Sequence, residues 1–281
     1  MTASDISLLE KLRSIPTKPQ PVAPGLKTAK VLSFDVETTP AEVTTYQLNT
    51  SWISPKNVIR PGDMLSWSAG WYHEPGKTMF RACWADGKVG VDPDAYHTML
   101  QSLWDLLDRA DFVVGWNSDR FDLQKVRGFF ARAGMPPFRK PRSIDLMKTA
   151  QTFGFESKSL DYTARMLGLR RKIDNGGAAL WRDALDDVPG ARKELRRYNR
   201  GDVLTTLDAF DAMRPWIPNH PVMFEGTGEE PRCPRCGSYD VLEDGSIRPL
   251  VVAYPFFRCR ACKGNFRGMK HHSKAIAMRS V

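Results

Sequence analysis

The chain has 281 residues, 42% hydrophobic and 26% charged, a globular composition with room for one large domain and a small module. No apolar run reaches the roughly 18 residues of a membrane span, and no charged start followed by an apolar stretch marks a secretory leader. The sequence therefore predicts a cytoplasmic protein with no membrane partner. The formal charge of +9 favours a polyanion, nucleic acid before a membrane surface.

In chain order, Ile6, Leu9 and Leu12 share one helical face, and Ser7 and Glu10 have capping-box spacing, so residues 4–15 read as a short amphipathic helix. Four prolines from Pro16 to Pro24 then predict an extended linker. Residues 31–39 are an apolar run ending in acids, read as a central strand covered on both faces. Residues 40–62 have no period. Tyr46 and Trp52 there read first as packing residues and second as stacking platforms for bases. Residues 65–72 and 78–84 predict a strand pair around a Pro75-Gly76 turn. Residues 94–109 predict a helix with Met99, Leu100, Leu103, Leu106 and Leu107 as its stripe. A short buried strand follows at 111–117 and a helix at 120–133, ended by Gly134. Residues 143–149 are ambiguous, 159–167 are helical, and 192–213 form a long helix ended by Pro215. The expected fold is α/β, a mixed sheet flanked by helices. The expected segments are an N-terminal helix and linker (1–26), a core domain (27–215), a linker (216–231), a cysteine module (232–268) and a basic tail (269–281).

Alternation along a strand puts Leu32, Phe34 and Val36 on one face and Asp35 and Glu37 on the other. Two such acids repel and resist leaving water, so a divalent cation is the simplest partner. Asp122 lies on the apolar face of its helix with Val126 and Phe129. Asp202 lies on the stripe of Leu195, Tyr198, Thr205 and Ala209. Each acid alone has an ordinary reading: a solvated loop start, a helix cap, or a pair with the Arg196, Arg197 and Arg200 cluster. Together, four inward carboxylates suit magnesium or manganese.

Asp35-Val36-Glu37, Asn117-x-x-x-Phe121-Asp122 and Tyr198-x-x-x-Asp202 resemble, in order, the three motifs of the DnaQ-like (DEDD) 3′–5′ exonucleases, with Tyr198 pointing to the DEDDy branch. Residues 160–169 resemble the stretch preceding the third motif. The resemblance spans residues 28–214 and implies a ribonuclease H-like fold, a two-metal mechanism with two Mg2+ or Mn2+, and single-stranded nucleic acid as substrate, DNA favoured. It implies that Asp35 bridges both metals, that Glu37 and Asp202 complete the shell of the first metal, and that Asp122 acts on the second metal through water. Tyr198 would aim the attacking water, and Asn117 and Phe121 would shape the substrate channel; Phe121 reads equally as a core residue. A DNA polymerase or another replication protein is a candidate partner, and a bacterial cell or one infected by a virus is the expected setting. Two alternatives stay open: an exoribonuclease, and a nucleic-acid-binding adaptor with an inactive domain.

Cys233-x-x-Cys236-Gly237 and Cys259-x-x-Cys262-Lys263-Gly264 are paired knuckles that predict one structural zinc in a closed four-sulfur shell. The segment resembles a zinc ribbon, with a hairpin built on residues 241–242 and 250–252 between the knuckles. His271 and His272 read as tail residues. From residue 232 onward ten Lys/Arg face three Asp/Glu. With Tyr254, Phe256, Phe257 and Phe266 this fits nucleic-acid binding, or a protein-docking module whose aromatics form its small core. Cys83 reads as a buried thiol.

Overall fold

The computed structural model describes residues 27–47, 49–170, 177–225, 231–247, 249 and 252–270. The predicted helix at 4–15, the prolines to Pro24, Leu250 and Val251 of the expected hairpin, and His271 and His272 with most of the basic tail lie outside the described residues. The chain divides into two units, residues 30–209 and a second containing the described residues of 27–29 and 210–270. The division falls within one helix, Ala191–Met213.

The larger unit is built on five strands: β1 (Val31–Thr38), β2 (Met64–Trp71), β3 (Met79–Ala82), β4 (Phe112–Gly115) and β5 (Arg142–Asp145), in the spatial order β3-β2-β1-β4-β5. β2 runs antiparallel to β1 and β3 to β2, whereas β4 and β5 follow β1 in parallel. β1 is therefore central, as its apolar run predicts, and Val31 to Phe34 are buried on both faces. Sequence reading yields four of these strands. The fifth was hidden in the ambiguous stretch because only Ile144 and Asp145 of its four residues are buried, too little alternation for a strand signal.

Helix α1 (Pro93–Arg109) buries the predicted stripe from Met99 to Leu107 and is capped by Asp92, which accepts from the Ala95 amide at 3.0 Å. Helix α2 (Asp122–Arg132) buries Leu123, Val126, Phe129 and Phe130. The short α3 (Leu146–Ala150) and α4 (Leu160–Met166) follow, then α5 (Ala178–Leu185), which no sequence pattern announces, and α6 (Ala191–Met213). Trp67 anchors the sheet to α1 by donating from Nε1 to the Met99 carbonyl at 2.8 Å, so the largest core side chain has its polar atom satisfied. Cys83 is fully buried, and burial pushes its thiol up to about 12.

Residues 40–62 hold a two-strand ladder, Glu42–Val43 against Val58–Arg60. Tyr46 and Trp52, between those strands, are 99% and 72% exposed, which overturns their reading as packing residues.

In the second unit, β6 (Val241–Ile247), β7 (Tyr254–Cys259) and β8 (Asn265–Arg267) form an antiparallel three-stranded sheet. β6 matches the first predicted hairpin arm, but the return strand starts at Tyr254, past Val252. Lys27–Thr28 pairs with Phe224–Glu225 in the same unit. No helix among the described residues is long and apolar enough to cross a membrane.

Candidate active site and cysteine centre

β4 pairs with β1 only from Val31 to Ser33. Beyond that point β1 continues alone on this side, and its Val36 amide donates to the Asp122 carboxylate at 3.1 Å. Asp122 opens α2, where the helix N-terminus favours an anion, and only 5% of it is exposed. Burial, reinforced by the nearby Asp145 and Asp202, raises its carboxyl to about 7. The turn between β4 and α2 is tight. A side chain at Gly115 would meet Ser118 at 2.4 Å, and Asn117 has a left-handed backbone with φ of 58°, a conformation that asparagine tolerates better than most residues. The backbone N–H of Asn117 donates to the Asp145 carboxylate at 2.9 Å, and Asp145 also caps α3 by accepting from the Met147 N–H.

The long helix α6 lies against the acidic end of β1. Asp202, 4% exposed, sits one turn after Tyr198. The fully buried Asn199 donates from Nδ2 to the Asp35 carboxylate at 2.6 Å and to its carbonyl at 3.2 Å. From α5, Trp181 donates Nε1–H to Glu37 at 2.9 Å, and its ring meets that of Tyr198 edge-on with centroids 6.2 Å apart. One indole thus ties a candidate ligand to the motif tyrosine.

Carboxylate oxygens of Asp35, Glu37 and Asp202 come within 4.8 Å of one another. Oxygens sharing an octahedral ion with bonds near 2.1 Å lie about 3.0 to 4.2 Å apart, so this donor set fits Mg2+ or Mn2+ with little closure. Beside it is a cavity of about 450 Å³ whose walls include Asp35, Asp122, Asp202, Asn117, Trp116 and Lys158. Of the predicted four acids, three cluster, while Asp122 stands on the same cavity wall, engaged with Val36. Tyr198 is 5% exposed. Phe121 is 40% exposed, with the Lys125 ammonium 5.8 Å above its ring, which excludes the core reading.

Sequence reasoning missed Trp181, Asn199 and Asp145. For Asn199 a signal existed: its spacing of three from Asp202 puts both on neighbouring helix positions. Trp181 and Asp145 had none, because one lies on an unpredicted helix and the other at an unrecognised strand end.

In the second unit, Cys233, Cys236, Cys259 and Cys262 converge, with Sγ···Sγ distances of 3.7 Å for Cys233–Cys262 and 3.6 Å for Cys236–Cys259. Disulfide sulfurs are about 2.05 Å apart. A zinc tetrahedron with bonds near 2.3 Å has edges of about 3.8 Å, so the thiols fit that ion. Gly237, just after the first knuckle, has φ of 76°, the left-handed backbone that its tight turn needs. In the second knuckle Lys263 takes the left-handed position at 61°, and Gly264 leaves room for Arg235, which a Cβ there would meet at 2.7 Å.

A family model described as RNase_H superfamily matches residues 70–214. The matched stretch contains Asn117, Asp122, Tyr198 and Asp202 and begins after β1, so Asp35 and Glu37 precede it. Among solved structures, the chain is similar to the family B DNA polymerase from the hyperthermophilic archaeon Pyrobaculum calidifontis, with 18% identity and a TM-score of 0.51. That likeness is one of fold; it covers 67% of this chain and 25% of the polymerase. No curated protein matches the chain.

Proposed function

The chain belongs to the RNase_H superfamily, and from that membership we propose that it is a metal-dependent 3′–5′ exonuclease of the DnaQ-like DEDDy branch, acting on ends of single-stranded DNA. The observation that carries the reading is the convergence of Asp35, Glu37 and Asp202 at the end of the central strand, beside a cavity that Asp122 also lines. Asp35, Glu37 and Asp202 would hold one divalent cation, and Asp35 with Asp122 a second. Such ions, when bound, acidify water and neutralise charge on a phosphodiester.

The protein's own groups supply position. Asn199 fixes the Asp35 carboxylate, and Trp181 fixes Glu37 and braces Tyr198. A bound metal ion would acidify the attacking water by itself, so Tyr198 serves to orient that water, not to take its proton. Asn117 and Phe121 flank the substrate path, and Lys158 offers a cation to phosphate at the cavity wall. The 3′-to-5′ direction rests on the resemblance of the three motifs. The shared fold with a DNA polymerase supports a setting in replication or repair, where a polymerase is the natural partner. Cys233, Cys236, Cys259 and Cys262 would hold one structural zinc, four thiolates leaving it no open position for catalysis.

The test is digestion of 5′-labelled single-stranded DNA and RNA with Mg2+ or Mn2+, using a chain carrying Asp35→Ala and Glu37→Ala as control. A ladder shortening from the 3′ end that the control lacks is the expected result, and the better substrate decides between DNA and RNA. Equal digestion by the control, or no digestion by the native chain, would overturn the proposal.

A further inference from the structure

The sheet of the cysteine module has two faces with different contents. Alternation along β7 places Pro255, Phe257 and Cys259 on one and Tyr254, Phe256 and Arg258 on the other. On the first face Phe257 stacks on Phe266 of β8, with centroids 5.4 Å apart and planes 12° from parallel. That stack shares its face with Cys259, one of the four converging thiols.

The second face carries a different pattern. The strand register sets Arg267 opposite Phe256, Leu242 opposite Arg258 and Ile247 opposite Tyr254. Leu242 and Ile247 are 44% and 40% exposed. The Arg267 guanidinium lies 4.1 Å from the Tyr254 ring centroid, and that of Arg258 lies 5.6 Å from the Phe256 centroid. Arg258 is shared with Asp244, whereas Arg267 has no carboxylate partner among the described residues. Half-buried rings therefore alternate with exposed guanidinium groups on one face whose aliphatic neighbours Leu242 and Ile247 are also exposed, in a segment whose formal charge is strongly positive.

We propose that this face, centred on Tyr254, Phe256, Arg258 and Arg267, binds single-stranded nucleic acid independently of the hydrolytic site. Aromatic rings on a sheet stack unpaired bases whatever their sequence. Guanidinium planes both stack on bases and pair with phosphate, so an arginine that now covers a ring contributes in either role. Charge complementarity selects the occupant: Arg267, with no carboxylate partner among the described residues, sits beside the rings, where a strand presents phosphates next to bases.

The full zinc-loaded chain, carrying Asp35→Ala to prevent digestion, is titrated with fluorescein-labelled single-stranded DNA and RNA. Anisotropy is followed from about 50 to about 200 mM salt. Tyr254→Leu, which keeps apolar bulk but removes the stacking ring, is expected to weaken binding about tenfold with the salt slope unchanged. Arg267→Gln is expected to lower the slope of log K against log salt by about 0.7, the value for one phosphate contact on a single strand. One zinc retained per chain shows that the module is intact in each variant. Native affinity and slope in both zinc-retaining variants would overturn the proposal and leave this face to a protein partner. Since binding is read in a chain that cannot hydrolyse, this failure is distinct from a failure of the proposed nuclease activity.

Discussion

Trp181→Phe keeps an aromatic ring beside Tyr198 but removes the N–H that holds Glu37 at 2.9 Å. A hydrogen bond to a charged acceptor contributes about 1.5 to 3 kcal/mol. Glu37 and Trp181 are both partly exposed, so water offsets part of the loss and the low end applies. If that energy positions Glu37 for its cation, kcat/KM falls about tenfold, since each 1.36 kcal/mol or so is a factor of ten. The fold should tolerate the change at a cost of about 1 kcal/mol, the usual size for a side chain at the edge of a core. The assay is steady-state hydrolysis of labelled single-stranded DNA across a Mg2+ titration, with Mg2+ binding measured by calorimetry. The expected signature is a higher Mg2+ requirement with little change in thermal midpoint. Coupling is tested with Glu37→Gln: once the carboxylate is gone, Trp181→Phe should not weaken metal binding further. Native Mg2+ affinity in Trp181→Phe, or losses that simply add in the double variant, would refute the positioning role.

Three further outcomes follow from the same geometry. Asp122 has a folded-state pKa raised to about 7, chiefly by burial, so the folded chain holds this proton more tightly than the unfolded one, and stability present at low pH is lost as pH rises through about 7. Without added divalent metal, Asp122→Asn should therefore melt higher than the native chain, by a margin that grows from about pH 4 to about pH 7 and levels off above, while hydrolysis assayed with Mg2+ falls; a margin independent of pH would contradict the burial argument. Thiol titration of the zinc-loaded native protein should find no reactive cysteine, chelation should release Cys233, Cys236, Cys259 and Cys262, and only denaturation should expose Cys83, so a natively reactive Cys83 would count against its burial. Tyr46→Ala and Trp52→Ala should each change stability by less than about 0.5 kcal/mol, because both rings stand in solvent; a loss of several kcal/mol in denaturant unfolding would show that they pack.

What the sequence determined by itself was local and periodic. The period of two in residues 31–39 put Asp35 and Glu37 on one side of a strand, and the period of 3.6 put Tyr198 and Asp202 on one stripe of a helix. The spacing within each cysteine knuckle was legible for the same reason, since two ligands separated by two residues report on one turn of chain. The tertiary structure decided the rest. It brought Trp181 to Glu37 across 144 positions and Asn199 to Asp35 across 164, and no periodicity encodes a partner at that distance. It made the expected quartet of acids a trio with Asp122 alongside, because β4 leaves β1 after Ser33 and frees the Val36 amide for that carboxylate. It also separated the aromatics of the cysteine module into a ring-on-ring pair, Phe257 with Phe266, and a pair covered by arginines, Tyr254 and Phe256, a choice that depends on which strand lies across from which. A side chain's face is a property of the chain's own geometry; its partner is a property of the fold.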